Sequence, residues 1–195
     1  MRLILASNSE TRKAIFDMLG LKYEVVTSDE KEKSTANNPK DYVEELSKIK
    51  ANSVAKKVKE KAIIVSADTI VYMDGKKYEK PKNLEEAFLS LKEMSGKITY
   101  AYTGITIKDL YQNKEVTSSD ICKAYIKEID DEDIRWYVEN EEKVLKAAGY
   151  TFFGKADLFL DKVDGDYNTM LGISPSKVHT ELKKLGYEMK DFELK

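Results

Sequence analysis

A short, uninterrupted apolar segment near the middle of the chain constrains the fold most strongly. Residues Ala62 to Val65 are all apolar, a pattern typical of a strand buried on both faces of a sheet. Such a strand needs helices to cover it. One helical pattern begins at Pro39, before this segment, and another begins after Asn83, later in the chain. We therefore predict an α/β protein in which helices flank a sheet.

Hairpin signals indicate that this sheet is mixed rather than wholly parallel. Asp74-Gly75 is a hairpin turn, and alternating segments at 98–107 and 115–128 are joined through Asn113-Lys114. Further strands are expected at 2–6, 23–26, 150–153 and 156–163. Because no linker or repeat interrupts the 195 residues, we predict a single domain spanning 1–195.

The composition excludes several classes of protein. One cysteine, Cys122, and one histidine, His179, cannot build multi-ligand zinc sites, disulfide scaffolds or haem motifs. With 33 basic and 35 acidic residues, the chain has no bulk attraction to nucleic acid or membrane, and no segment approaches the roughly 20 apolar residues of a membrane span. We expect a cytoplasmic protein that works with carboxylates, lysine, arginine, hydroxyls and a hard metal ion.

The loop after the first strand is a candidate phosphate site. Ser7, Ser9 and Arg12 precede or open the first helix, where backbone N–H groups and the helix dipole favour anions. The alternative is an ordinary N-cap followed by a surface arginine. Arginine occurs only three times in the chain, so its use beside two serines favours bidentate anion binding.

A second candidate is Asp68 with Thr69, where the central apolar segment breaks into polar residues before Ile70. A carboxylate at a strand end in an α/β fold can hold Mg²⁺ or accept a proton from water. The alternative is an aspartate that caps a turn.

The remaining candidates are weak when taken singly. Lys80 stands beside a rigid proline and could neutralise phosphate charge, Glu32 could be a second metal carboxylate, and Lys146 is only suggestive. Each could equally be an ordinary surface residue. The aromatic residues at 150, 152 and 153 are predicted to be core, and a group of lysines on the second helix is predicted to be a solvated surface: Lys48, Lys50, Lys56, Lys57 and Lys59.

Taken in order, the polar segments resemble the Maf family of nucleoside triphosphate pyrophosphatases, which are related to the inosine triphosphate pyrophosphatases. The opening LASNSETRK is similar to the family's LAS-x-S-x-RR. The other matching segments are Ala67 to Val71, Glu79 to Pro81, Met94 to Lys97, Thr103-Gly104, Lys146 to Tyr150 and Gly165 to Gly172. Each motif is weak, but the ordered set is specific and spans nearly the whole chain.

The resemblance implies a curved mixed sheet flanked by helices, two lobes with a central cleft, and a homodimer. It implies hydrolysis of a nucleoside triphosphate with Mg²⁺ or Mn²⁺. Asp68 would be the catalytic proton acceptor and would hold the metal with Glu32. The implied substrate-binding residues are Ser7, Ser9, Arg12, Thr69, Lys80, Lys146 and Phe153.

Four positions depart from the family's pattern. Lys13 stands where a second arginine is usual, Thr99 where histidine is common, and Leu145 where an aspartate precedes Lys-Ala-Gly. Phe153 replaces a glutamine that is tied to base choice in members acting on thymidine and uridine triphosphates. An apolar ring cannot discriminate bases by hydrogen bonding, so the base preference stays open.

The resulting hypothesis is a metal-dependent nucleoside triphosphate pyrophosphatase that removes non-standard or excess nucleotides. The alternative is a nucleotide-binding regulator, for example of cell division, that hydrolyses weakly or not at all. The substitutions at positions 99, 145 and 153 motivate this alternative.

Overall fold

The fold is a mixed sheet with helices, seen in a computed structural model that describes residues 1–31, 33–148 and 154–193. The strands are β1 Leu3–Leu5, β2 Glu24–Val25, β3 Ile63–Met73, β4 Lys76–Tyr78, β5 Ile98–Asp109, β6 Lys114–Ile126 and β7 Leu160–Asp164. The helices are α1 Glu10–Met18, α2 Pro39–Lys57, α3 Leu84–Met94, α4 Asp131–Asn140, α5 Tyr167–Leu171 and α6 Pro175–Lys184.

The seven strands form one sheet in the order β2-β1-β3-β5-β6-β7, and β4 pairs with β3. The pairs β1/β2 and β1/β3 are parallel, whereas β3/β4 and β6/β7 are antiparallel. The prediction of a mixed sheet is therefore confirmed. The chain divides into two compact units, and β3, β5 and β6 each contribute to both.

Unit 1 comprises residues 1–69, 103–120 and 171–195, and its central strand segments, β1 and residues 63–65 of β3, are buried on both faces. On one face, Leu3 and Leu5 of β1 pack with Phe16 of α1 and Leu182 of α6. On the other face, Ile4 and Ile64 pack with Val54 of α2. Successive residues of a strand point to opposite faces, so one continuous apolar segment supplies both cores, as the sequence predicts.

Unit 2 comprises residues 70–102 and 121–170 and packs α3 against α4. Asn83 and Asp130 cap these helices, because their side chains accept from the backbone N–H three residues on. Phe88 is buried on α3, with the guanidinium of Arg135 lying 4.7 Å from its ring centroid. Tyr137 of α4 is fully buried.

Two local expectations are wrong. β3 runs unbroken from Ile63 to Met73, so no loop interrupts it at Asp68. Residues 155–159 form a short 3-10 helix rather than strand, and the strand expected at 150–153 lies outside the described residues.

None of the helices within the described ranges combines the length and apolar character needed to cross a bilayer.

Candidate functional site

The guanidinium of Arg12 is buried in unit 1 and held by three oxygen atoms. Its Nη1 donates to Ser7 Oγ at 3.2 Å, its Nε to the Gly172 carbonyl at 2.9 Å, and its Nη2 to Thr69 Oγ1 at 3.1 Å. Arg12 is only 9% exposed. Three bonds from one fork fix both the position and the plane of the cation, the geometry that favours bidentate phosphate binding.

The two serines of the loop have separate tasks. Ser9 caps α1, since its Oγ accepts from the backbone N–H of Arg12 at 3.4 Å. Ser7 is 8% exposed, and its Oγ accepts from the N–H of Ser9 as well as from Arg12. Ser9 is therefore an ordinary N-cap, as the alternative interpretation expected. Arg12, however, is buried and is not the surface arginine of that alternative.

Gly172 approaches Arg12 closely enough that only glycine fits. Its φ is +101°, which disfavours residues with a side chain. A Cβ placed there would lie 3.2 Å from Arg12 Nε and 3.3 Å from both Arg12 Nη2 and Thr69 Oγ1. The backbone before α6 thus presents its carbonyl to a guanidinium that is 160 residues away in sequence.

Asp68 lies on the opposite face of β3 from Thr69. It forms a largely buried ion pair with Lys50. Lys50 Nζ donates to Asp68 Oδ1 at 2.6 Å, and the two side chains are 13% and 11% exposed. A carboxylate inside a strand, bonded to a lysine of α2, does not cap a turn. That alternative is therefore wrong for Asp68.

A second glycine allows α2 to lie close to the sheet beside this ion pair. A Cβ on Gly104 would overlap the backbone carbonyl of Val43. The missing side chain therefore lets the helix that carries Lys50 pack directly on β5, the neighbour of β3.

Both features lie just beyond the carboxyl end of β1. The ladder between β1 and β3 ends with Leu5 opposite Val65, so Asp68 and Thr69 follow where β1 no longer flanks β3. In α/β sheets, ligands bind outside the carboxyl ends of strands. Residues from both faces of β3 therefore follow the carboxyl end of β1.

The other predicted residues belong to unit 2 or lie outside the described residues. Lys80 and Lys146 are exposed and belong to unit 2, so their role in binding the triphosphate stays a prediction. Glu32 and Phe153 lie outside the described residues.

The departures from the family pattern have different surroundings. Lys13 donates to Asn8 Oδ1 at 3.4 Å. Thr99 is buried and Leu145 is 40% exposed.

The donor atoms at Asp68 fit a magnesium ion that is shared with phosphate. Within residues 1–31, 33–148 and 154–193, no group of three His, Cys, Asp or Glu residues could hold a metal ion. Mg²⁺ at nucleotide sites is held by one or two carboxylates together with substrate phosphates. Asp68 can supply one such carboxylate without a larger protein cage.

Three residues at this site escaped prediction as site residues: Lys50, Thr103 and Gly172. The solvated surface predicted for Lys50 is wrong. Leu46, Lys50 and Val54 are spaced by four residues, which places Lys50 on the buried stripe of α2; this signal was present in the sequence. Thr103, fully buried, pairs with Thr69 at 2.8 Å between the two Oγ1 atoms, a contact that only the sheet reveals.

Two solved structures are similar over part of the chain. The Ham1 protein of Staphylococcus aureus matches 65% of this chain and 72% of its own at 15% identity, with a TM-score of 0.44. A HAM1 protein from Coxiella burnetii matches 65% and 73% at 14% identity, also with a TM-score of 0.44.

Sequence relatives cover nearly the whole chain. The "dTTP/UTP pyrophosphatase" of Thermoanaerobacter sp. (strain X514) is 41% identical, covering 94% of this chain and 96% of the relative. Proteins of the same name from Carboxydothermus hydrogenoformans and Clostridium tetani are 34% and 38% identical, covering 96% and 97% of this chain and 100% of each relative. A family model described as Maf-like protein matches residues 2–185. The chain therefore belongs to the Maf-like protein family.

Proposed function

We propose that this chain is a nucleoside triphosphate pyrophosphatase, which hydrolyses a ribo- or deoxyribonucleoside triphosphate to the monophosphate and pyrophosphate. The family and the names of its relatives support this reaction class. The observation that carries it is the Arg12 guanidinium, buried and braced at the end of β1. The proposed physiological role is the removal of non-standard or excess nucleotides.

Arg12 is proposed to bind the triphosphate. A guanidinium presents a planar set of donors that matches two phosphate oxygens. Because Ser7, Thr69 and Gly172 already hold it in place, binding a phosphate costs little further side-chain entropy. Ser9 contributes indirectly, since it caps α1 and so fixes the loop that carries Arg12.

Asp68 is proposed to accept the proton of the attacking water. The water oxygen forms a bond to the α-phosphorus, the bond from that phosphorus to the bridging oxygen breaks, and pyrophosphate leaves with the bond's electrons. Lys50, which contacts Oδ1 at 2.6 Å, orients the carboxylate. Phosphoryl chemistry of this kind depends on positioning and charge neutralisation and needs neither the lone histidine nor the lone cysteine.

A divalent ion, Mg²⁺ or Mn²⁺, is proposed as the cofactor, held by Asp68 and Glu32. When bound, it would neutralise phosphate charge and polarise the attacked phosphoryl group.

The proposed substrate range begins with dTTP and UTP, because the relatives carry those names. Phe153 lacks the amide that could read a base by hydrogen bonds, so we expect modified and purine triphosphates to be turned over as well.

The direct test is pyrophosphate release from a panel of standard and modified triphosphates with Mg²⁺. The wild-type chain should release pyrophosphate and the monophosphate in equal amounts. Asp68→Asn should lose a factor of about 10² or more in kcat, the usual contribution of a general base. The Lys50→Arg variant is the matched control: it keeps a cation beside Asp68 and should retain more activity than Asp68→Asn.

Two results would contradict the proposal. Turnover of no triphosphate, with tight nucleotide binding, would select the regulator instead. Full activity of Asp68→Asn would remove Asp68 from the chemistry and leave the reaction class standing.

A homodimer is also proposed, from the family resemblance alone, and a cytoplasmic location is proposed from the single cysteine of the chain. Light scattering after size-exclusion chromatography tests the homodimer, and a mass near the 22.3 kDa of one chain would contradict it.

A further inference from the structure

Thr103 is separated from the guanidinium of Arg12 by a single hydroxyl group. Arg12 Nη2 donates to Thr69 Oγ1 at 3.1 Å, and that oxygen lies 2.8 Å from Thr103 Oγ1. Thr103 is fully buried. Its hydroxyl therefore acts from within the protein and reaches a ligand only through Thr69 and Arg12.

The hydrogen-bond donors and acceptors around Thr69 allow its hydroxyl only two arrangements. A guanidinium only donates, so the Thr69 oxygen must accept from Arg12. The single proton of Thr69 can go to Thr103 at 2.8 Å or to the Gly172 carbonyl at 3.4 Å. If it goes to Gly172, Thr103 donates to Thr69 instead. In both arrangements Thr103 fixes the rotamer of Thr69.

The path ends in the rigid part of unit 1. Thr103 and Thr69 belong to β5 and β3, which are neighbours in the sheet. On the same face of β5, Ile105 and Ile107 are fully buried in the core. The sheet, rather than the loop after β1 alone, thus sets where the Arg12 fork points.

We propose that Thr103 is a positioning residue for phosphate binding, which acts by holding Thr69 against Arg12. This inference rests on the proposed function, since it assigns the phosphate-binding task to Arg12. Small misplacement of a positioned group weakens the contacts that it makes with its ligand, so loss of the Thr103 hydroxyl should be measurable as weaker binding.

The experiment compares Thr103→Val, which removes the hydroxyl at nearly constant volume, with Thr103→Ser, which keeps it. Inorganic pyrophosphate with Mg²⁺ is titrated calorimetrically into each full-length variant. Thr103→Val should weaken binding by about 5-fold, the typical effect of one hydrogen bond. It should raise KM for the triphosphate by a similar factor, with kcat within about twofold. Thr103→Ser should match the wild type.

A double-mutant cycle separates positioning from mere stability. In an Arg12→Ala background, Thr103→Val should have a smaller effect on pyrophosphate affinity than in the wild type, because the route through Arg12 is gone. A purely structural role would give the same additional effect in both backgrounds.

The matched control is Thr106→Val, three residues along β5. Thr106 is also fully buried, and its Oγ1 also pairs with another hydroxyl, that of Thr117, at 2.9 Å. It points to the opposite face of β5, since odd spacing along a strand reverses the side chain. It should lower the unfolding temperature without changing pyrophosphate affinity.

The outcomes are distinct. Wild-type affinity in Thr103→Val overturns the positioning role while leaving the pyrophosphatase proposal intact. A wild-type chain that binds pyrophosphate but hydrolyses no triphosphate contradicts the proposed function, and the cycle still decides the role of Thr103. Absence of pyrophosphate binding by the wild type overturns the positioning role, and triphosphate turnover then decides the proposed function separately. If Thr103→Val unfolds, Thr103→Ala in the same cycle replaces it.

Discussion

Two buried hydroxyl clusters lie on opposite faces of the sheet in unit 1, and they differ in charge. The Arg12 cluster lies on the α1 face and consists of Ser7, Arg12, Thr69, Thr103 and Gly172. The Ser47 cluster lies on the α2 face and consists of Ser47, Ser66, Thr106 and Thr117. The first surrounds a cation with oxygens, whereas the members of the second are all neutral.

The Ser47 cluster shows what buried hydroxyls do when they only hold a fold together. Ser66 donates to the Ser47 carbonyl at 2.7 Å, and Ser47 pairs with Thr106 at 2.8 Å. These bonds join α2 to β3 and β5. Buried polar groups must be hydrogen-bonded, and here helix and strands satisfy one another.

The comparison teaches that buried hydroxyls alone do not mark a functional site. The Arg12 cluster differs in holding a buried guanidinium, a group that can bind an anion through a bidentate contact. Variants in the Arg12 cluster should therefore change ligand binding, whereas variants in the Ser47 cluster should change stability only.

The largest effect is expected at Arg12 itself. Arg12→Ala should lower kcat/KM for the triphosphate by about 10²- to 10³-fold, comparable to the loss of one preorganised donor to developing charge. Steady-state pyrophosphate release measures it. Arg12→Lys keeps the charge but not the fork, and should recover only part of the loss. Equal activity of Arg12→Lys and wild type would argue against a bidentate role.

An intermediate effect is expected at Gly172. Gly172→Ala would put a Cβ 3.2 Å from Arg12 Nε and displace the fork, lowering kcat/KM by about 10-fold or more. The matched control is Gly186→Ala. Gly186 also has a positive φ, +88°, but nothing lies within 4 Å of its Cβ position, so this variant carries the backbone strain alone. Similar kinetic losses in both variants would assign the effect to strain rather than to Arg12.

A smaller effect, confined to stability, is expected in the Ser47 cluster. Ser47→Ala removes the bonds to Thr106 and to the Glu44 carbonyl. It should lower the free energy of unfolding by about 1–2 kcal/mol, measured by urea denaturation, and leave pyrophosphate affinity unchanged. A loss of affinity would mean that the two clusters are coupled through β3.

The smallest effect concerns pH and defines where the stability measurements are clean. Burial, with a hydrogen bond to Asp17, raises the pKa of Tyr23 to about 12 from an ordinary 10.0. The folded chain therefore keeps a proton that the unfolded chain loses above about pH 10, so stability is full below that pH and falls as pH rises toward 12. Tyr23→Phe should flatten this slope in denaturation curves recorded from pH 9 to 12. An unchanged slope would place the titrating group elsewhere.

Local patterns predicted much of the fold. The helix that begins after Asn83 and the hairpin turn at Asp74-Gly75 form as expected, because the bonds that make them span only a few residues. Residues 155–159 were missed because a short apolar pattern does not distinguish a strand from a 3-10 turn.

The candidate site was only partly predictable. The rarity of arginine singled out Arg12, which is buried and hydrogen-bonded in the structure, and the buried stripe of α2 could have singled out Lys50. No local pattern could reveal that Lys50 meets Asp68, since the partners lie on different elements 18 residues apart. Resemblance added Asp68 as a proton acceptor, a role that geometry alone does not assign.

By itself, the sequence determined the helices and the doubly buried strand, because these depend on local composition and on contacts between near neighbours. Only the tertiary structure decided that Ser9 caps a helix while Ser7 braces an arginine. It also decided that the carbonyl of Gly172, 160 residues away in sequence, accepts a hydrogen bond from the Arg12 guanidinium. The physical reason is that a buried charge must find hydrogen-bond partners wherever the folded chain supplies them, and sequence order does not say where that is.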